Sequence, residues 1–287
     1  MQSNALVVND LTKKYPDFVL DKVSFSVPCG TIVGLIGENG AGKSTTINAV
    51  LGMISRDSGS IELFGEADTQ SNDSIRNQIG VVFDGNNYPD VLSAQKLNRV
   101  LRKIYRTWDE RTFFSLLKKM SLPADKKIKE FSKGMQMKLS IAAALSHNSR
   151  LLILDEATSG LDPVVRDDIL DMFLEFVQDE SHSILVSSHI TSDLEKVADY
   201  IVFIHKGKVV FCKSKDELRY KYGIIRCGAA QFDAIDNEEA IAYRKQDYEW
   251  EVLVADRDQA RRKYPKAVID PASIDEIMLL YVKGESK

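Results

Sequence analysis

The sequence has no apolar run near the roughly 18 residues that cross a bilayer. Its richest runs, "LLIL" and "IVFI", are strand-sized. The opening "MQSNALVVND" lacks a basic stretch followed by a long apolar one, so no secretory signal is expected. Cysteine is scarce: Cys29, Cys212 and Cys227 are odd in number and far apart, which excludes a disulfide framework and gives no zinc-binding spacing. There is no excess of positive charge either. The formal net charge of −4 argues against a general nucleic-acid binder, which carries a basic face. Internal repeats and low-complexity tracts are also absent. What remains, in 287 residues that are 44% hydrophobic and 28% charged, is a cytosolic protein able to bury a sizeable core.

Strand and helix signals alternate along most of the chain. "ALVVNDLTKKY" and the alternating "VSFSV" read as strands. "TIVGLIG", "IGVVFD" (79–84), "RLLILDE" (150–156) and "HSILVSSH" (182–189) are short apolar runs that suit buried strands. Helical spacing appears in "KSTTINAVLGM" (43–53) and "VVRDDILDMFLEFVQ" (164–178), and "DYIVFIHKGKVVFC" (199–212) reads as a hairpin turning at Lys-Gly. Residues 92–147 have Leu, Met, Lys and Arg at 3–4 spacing and no strand signal, so a helical subdomain is predicted inside the α/β unit. Beyond about residue 222 the pattern weakens to one strand (248–256) and one amphipathic helix (272–284) that starts near Ser273. Alternating strands and helices predict an α/β fold with a largely parallel sheet.

"GENGAGKST" (37–45) fits the phosphate-loop spacing G-x-x-x-x-G-K-[ST] at Gly37, Gly42, Lys43 and Ser44. Glycines let backbone N–H groups turn toward phosphate oxygens, and the helix that follows adds its positive end. Lys43 brings a full charge to the β- and γ-phosphates, and the Ser44 hydroxyl is a Mg²⁺ ligand. A strand before and a helix after satisfy the context the motif needs. A phosphate loop alone leaves kinases, GTPases, helicases and transporters open; no N-K-x-D sequence for guanine is present. Tyr15 is a candidate to stack on a purine. "LLILDE" ends a buried strand with Asp155 and Glu156. Asp155 suits the Mg²⁺ shell and Glu156 can accept a proton from an attacking water. Neighbours on a strand point to opposite faces, so the chain must bend there for both to serve one site. His189, ending another buried strand, is a candidate to sense or polarise the γ-phosphate.

In motif content and order, residues 4 to about 220 resemble the ATP-binding subunits of ABC transporters. Tyr15 falls at the adenine-stacking position. Gly37, Glu38, Asn39, Gly40, Ala41, Gly42, Lys43, Ser44 and Thr45 form Walker A, and "LLILDE" is Walker B with the catalytic glutamate. "SGLD" resembles the D-loop and ends in Asp162, His189 falls at the switch histidine, and "FSKGM" (131–135) stands where the family has L-S-G-G-Q. The resemblance implies a P-loop NTPase of ABC type: a RecA-like core, an antiparallel β subdomain and an inserted helical subdomain at about 86–148. It places the ATPase domain at 4–222 and a small α+β accessory segment at 223–287. It also implies ATP and Mg²⁺ as ligands, and a head-to-tail pair of ATPase subunits around two ATP. Ser132, Lys133, Gly134 and Asp162 of one chain would then serve the nucleotide held by the other. A separate transmembrane permease, to which the chain docks on the inner face of the cell membrane, is the expected partner, and nucleic acid is not.

Two departures stand out. Phe131, Lys133 and Met135 replace the family's Leu, Gly and Gln, and Asp84 stands where the Q-loop glutamine is expected. A carboxylate is a hard oxygen ligand, so Asp84 joins Ser44 and Asp155 as a Mg²⁺ candidate. The signature, the missing glutamine and the tail "PASIDEIMLLYVKG" resemble a bacterial branch of ATPase subunits paired with ABC-2-type exporter permeases, some acting on antibiotics and antimicrobial peptides. In the family the loop after the Q position, here "DGNNYPDVLS" (84–93), borders the groove for the permease's coupling helix. That makes Tyr88, Val91 and Leu92 its candidate contacts. The alternative is a soluble ABC-type ATPase acting on DNA or ribosomes; the chain lacks the long coiled coil of the former and the second cassette of the latter.

Overall fold

The structure, a computed structural model, describes residues 3–67, 72–85, 87–247 and 249–285. Strands β1 (Asn4–Lys14), β2 (Val19–Pro28), β4 (Ser58–Leu63) and β5 (Glu66–Ala67) form an antiparallel sheet in the order β2-β1-β4-β5. β3 (Ile32–Ile36) leaves this layer for the main sheet and leads into α1 (Lys43–Val50). The short α2 (Asp73–Arg76) precedes β6 (Ile79–Phe83).

Three helices then interrupt the strands: α3 (Ala94–Ile104), α4 (Glu110–Lys119) and α5 (Lys133–Leu145), with a 3-10 turn at Ile128–Glu130. They occupy the region where a helical subdomain is predicted. Their buried residues recur at helical spacing, with Leu97 and Leu101 of α3 and Phe113 and Leu117 of α4 belonging to the same core cluster. Ser93, Asp109 and Ser132 each cap the helix that follows them.

The main sheet has the order β10-β9-β3-β8-β7-β6, built with β7 (Leu151–Asp155), β8 (Ser183–Ser188), β9 (Tyr200–His205) and β10 (Lys208–Ser214). β9, β3, β8, β7 and β6 run parallel; β10 is antiparallel on its edge. β3 and β8 are buried along their whole length because layers cover both faces, which is why they read as unbroken apolar runs. α6 (Pro163–Phe176) follows β7 and α7 (Thr191–Val197) follows β8. The Lys206-Gly207 turn between β9 and β10 has positive φ at both residues, 46° and 78°, as a two-residue hairpin turn requires.

α8 (Lys215–Lys221) leads to a third, antiparallel sheet, β12-β13-β11-β14, from β11 (Gly223–Cys227), β12 (Ala242–Gln246), β13 (Glu249–Val254) and β14 (Val268–Pro271). α9 (Ala229–Phe232) and α10 (Arg257–Lys263) fill its connections, and α11 (Ile274–Lys283) ends the described chain. Alternation divides this sheet's residues. Ile225, Val252 and Val254 pack with Phe232 in a cluster of their own. Ile224 and Leu253 turn the other way and join Ile277 and Leu280 of α11 in the main core. The strand expected at 248–256 and the helix expected at 272–284 are both there, the latter with the Ser273–Glu276 capping box. β11, β12, β14 and α8–α10 carried no signal in the sequence, being four to seven residues long.

Candidate active site

Strand register assembles the site. In the parallel ladder Ile36 is level with Ser188, Ser187 with Asp155, and Asp155 with Phe83. The carboxyl ends of β3, β8, β7 and β6 therefore form one edge, where ligands bind in open α/β sheets. The residues just past those ends are Gly37, His189, Glu156 and Asp84. All but Gly37 line one cavity of about 720 Å³, together with Glu38, Asn39, Gly40, Gly42, Lys43, Ser44 and Thr45.

The loop between β3 and α1 is shaped for backbone donors. Gly40 and Gly42 have φ of 81° and 115°, which favour glycine. A side chain on Gly37 would collide with the carbonyl of Ile204. Ala41 is buried and its carbonyl accepts a hydrogen bond from Gly207 N at 2.9 Å, tying the loop to the β9-β10 turn. Unlike α3 to α6, α1 starts without a side-chain cap, and its first turn holds no acidic residue, so its N–H groups stay open to an anion. Lys43 is buried, and its Nζ donates to the carbonyls of Gly37 at 2.8 Å and Glu38 at 3.4 Å.

The bend expected at Walker B is present. Glu156 has a φ of 54°, a left-handed conformation that costs a non-glycine residue about 1–2 kcal/mol. Ser187 organises it: its Oγ donates to Asp155 Oδ1 at 2.5 Å and accepts from Glu156 N at 3.1 Å. Both carboxylates thus reach the same edge. Oε1 of Glu156 lies 3.3 Å from Lys43 Nζ, and Oε2 accepts a 2.5 Å hydrogen bond from Nδ1 of His189. Sequence reasoning did not find Ser187, since a buried serine in an apolar strand has no motif of its own.

The register also tests the metal assignment. Phe83 pairs with Asp155, so Asp84 and Asp155 stand at the ends of adjacent strands; Asp84 and Ser44 line the cavity, whereas Asp155, held by Ser187, is not among its lining residues. Among the described residues there is no cluster of three His, Cys, Asp or Glu side chains able to hold a metal alone. The all-oxygen donor set of Ser44, Asp84 and Asp155 fits Mg²⁺, which binds through one or two carboxylates plus phosphate and water.

The signature residues lie on the helical side. Ser132 caps α5 through Met135 N at 3.2 Å, and Gly134 faces Val165 of α6. Asp162 caps α6 through Val165 N at 3.0 Å. Lys133 reaches back and pairs with Asp84 at 2.8 Å. Tyr15 is exposed beyond β1, with its ring 6.5 Å from Phe18. The cavity lining includes Asp17 and Phe18, which no sequence motif had marked.

The sequence model described as ABC transporter matches residues 20–159. A lantibiotic transport ATP-binding protein, SrtF of Streptococcus pyogenes, is 37% identical over 214 residues, which are 74% of this chain and 91% of that protein. The chain belongs to the ABC transporter family, as an ATP-binding subunit. The bacitracin transport ATP-binding protein BcrA of Bacillus licheniformis is 35% identical over 211 residues, covering 72% of this chain and 69% of that protein. A solved ATP-binding subunit of an ABC transporter superposes with a TM-score of 0.69 at 30% identity, covering 75% of this chain and 92% of the other. The P-loop ABC-type fold and ATP hydrolysis expected from the motifs are those of this family. Among the described residues no helix is long and apolar enough to cross a membrane.

A second cavity of about 550 Å³ lies where the core meets the helical region. Val50, Met53, Phe83, Ile104 and Tyr105 line it, with Arg76 and Arg106 among the polar residues there. Met53 and Ile104 are each 62% exposed, and Tyr105 stacks on buried His147 at 4.1 Å. Of the three contacts expected from the sequence, Tyr88 and Leu92 pack against the main core and Val91 is exposed.

Proposed function

We propose that this ATP-binding subunit pairs head to tail with a second ATPase subunit around two ATP and drives a separate permease, exporting a peptide, an antibiotic or another amphipathic substrate. The observation that carries the catalytic part is the in-register set of strand ends that brings Lys43, Glu156, His189 and Asp84 to one cavity. The N–H groups of Gly37 to Thr45 and the Lys43 ammonium bind the phosphates, and an aromatic ring, Tyr15, stacks on adenine. Ser44 and Asp155 would hold Mg²⁺, with Asp84 beside them in its pair with Lys133. When bound, Mg²⁺ supplies charge neutralisation at the β- and γ-phosphate oxygens.

Glu156 takes the proton of the attacking water at Oε1 or Oε2, and His189 orients it through the Nδ1 hydrogen bond. Ser187 keeps Asp155 and Glu156 on the same edge. Ser132, Gly134 and Asp162 face the partner chain's nucleotide, and the α5 N-terminus adds its positive end there, while Lys133 turns back to Asp84 of its own chain. The exposed apolar groove at Met53, Ile104 and Tyr105 is the seat for a helix of the permease, which keeps the subunit on the inner face of the membrane. Export of antimicrobial compounds is supported by the bacitracin and lantibiotic transport roles carried in the names of BcrA and SrtF. Residues 223–285 form an accessory unit docked on α7 and the β9-β10 hairpin.

The test is co-expression with an ABC-2-type permease drawn from the neighbouring genes. Expected are detergent-stable co-purification and Mg²⁺-dependent ATP hydrolysis that the permease stimulates. Hydrolysis unaffected by the permease, with no co-purification, would leave a cassette uncoupled from transport.

A further inference from the structure

Two departures from the family pattern touch each other. Lys133 stands where these subunits carry a signature glycine, and Asp84 where they carry the Q-loop glutamine. The residues come from different elements, since Asp84 follows β6 and Lys133 opens α5, yet Lys133 Nζ lies 2.8 Å from Asp84 Oδ1. The ammonium also passes over the loop after β7: a side chain on Gly160 would stand 3.2 Å from it, and Gly160 has a φ of 67°.

The pocket has many carboxylates for a site that receives a polyanion. Asp17, Glu38, Asp84 and Glu156 all line it. Glu156 is offset by Lys43 at 3.3 Å and accepts a hydrogen bond from His189. Asp84 is offset by Lys133. A glutamine at this position is neutral and needs no such partner. A lone aspartate would set a negative charge on the rim, facing the incoming phosphates.

We propose that Lys133 and Asp84 act as one unit, in which Lys133 is a positioning residue that holds and neutralises the Asp84 carboxylate at the rim of its own chain's nucleotide pocket. This rests on reading that pocket as the ATP site. Both side chains are about half exposed, so the pair adds little to folding. Its effect is on the field the nucleotide meets. The two substitutions compensate each other: the pair is neutral, as glutamine is, and it also ties the signature end of α5 to the phosphate edge.

The experiment is a double-mutant cycle read by calorimetric binding of Mg-ADP at low salt, with Lys133→Gly, Asp84→Gln and the double variant. ADP lacks the phosphate that bridges two subunits, so it reports the pocket of the chain that binds it. Lys133→Gly is expected to weaken ADP about tenfold, the size of one uncompensated charge near a charged ligand. The same change made in Asp84→Gln is expected to cost less than about twofold. Lys133→Arg should keep wild-type affinity, and raised salt should shrink the Lys133→Gly penalty. Thermal melting of each variant monitors the fold, and Lys133→Gln replaces Lys133→Gly if glycine loosens α5. The proposal is overturned if removing Lys133 costs as much in the Asp84→Gln background as in the wild-type chain, or costs nothing in either. If the wild-type chain binds no ADP at all, the reading of the pocket falls and the pair falls with it.

Discussion

Oε1 of Glu156 lies 3.3 Å from Nζ of Lys43, and the two share the pocket that the phosphate loop lines. A carboxylate beside the Walker A ammonium competes with phosphate for that charge. The same carboxylate is the proposed acceptor of the water's proton. Glu156→Gln therefore separates the two roles. ATP affinity should be retained or rise, while phosphate release falls at least about 100-fold, the lower end of what a lost general base removes. A nucleotide titration and a phosphate-release assay check both, and size-exclusion with ATP should show a longer-lived dimer. Undiminished hydrolysis would reject the assignment.

The composite-site reading gives a complementation prediction. Lys43 is in the core and Ser132 caps α5 on the helical side. Lys43→Ala and Ser132→Arg should each be inactive as pure homodimers. In an equal mixture half of the dimers pair one chain of each kind, and each such dimer holds one intact site. The mixture should regain up to about a quarter of the wild-type sites, provided random exchange under two-fold symmetry. Exchange is verified by differently tagged chains. No recovery in a verified mixed dimer, measured with an assay sensitive enough to detect a single working site, would reject sites shared between two copies.

Much of this was legible from sequence because the chemistry is concentrated at strand ends. The buried runs at 32–36, 79–83, 151–155 and 183–188 are all strands, and each is followed by a residue marked in the sequence: Gly37, Asp84, Glu156 and His189. The bend at Glu156 followed from strand geometry, since adjacent residues cannot otherwise share an edge. Pairwise contacts were not legible. Nothing in the local sequence at Lys133 or Asp84 announces the other, because the loop ends that bring them together are set by packing of α5 on the core. The third sheet escaped for a related reason: β11, β12 and β14 are short and gain their stability from cross-strand partners far along the chain.

The groove beside α3 gives a prediction that leaves nucleotide chemistry alone. Ile104 is 62% exposed, so Ile104→Asp should alter folding stability by no more than about 0.5 kcal/mol. It places a charge in the apolar seat proposed for the permease helix. The isolated subunit should hydrolyse ATP at the wild-type rate, while stimulation by the permease and transport in reconstituted vesicles fall about tenfold or more, as for a buried interface anchor. Wild-type transport by this variant would remove the groove from the coupling path.

The last prediction concerns pH and His147, which stacks on the Tyr105 ring that lines that groove. His147 is buried, its Nδ1 is 3.1 Å from the carbonyl of Asn77, and Tyr105 covers its ring. Burial holds its pKa below the ordinary histidine value of 6.5, because the charged ring loses hydration that the Asn77 carbonyl only partly replaces. The neutral ring is thus the folded form. The sign follows: below pH 6.5 the unfolded chain takes up a proton that the folded chain still refuses, so stability falls. Its contribution is intact above pH 6.5 and is lost as pH drops through that value toward the lowered folded pKa. In His147→Gln the amide can still donate to the Asn77 carbonyl but does not titrate. That variant should melt lower at pH 8, having lost the stack on Tyr105, yet change less between pH 7 and 5. The wild-type melting temperature should drop over the same interval by on the order of a few °C more than the variant's. Parallel pH profiles for the two proteins would show that His147 stays neutral throughout, or charges in both states alike, and would reject this account of the groove's acid sensitivity.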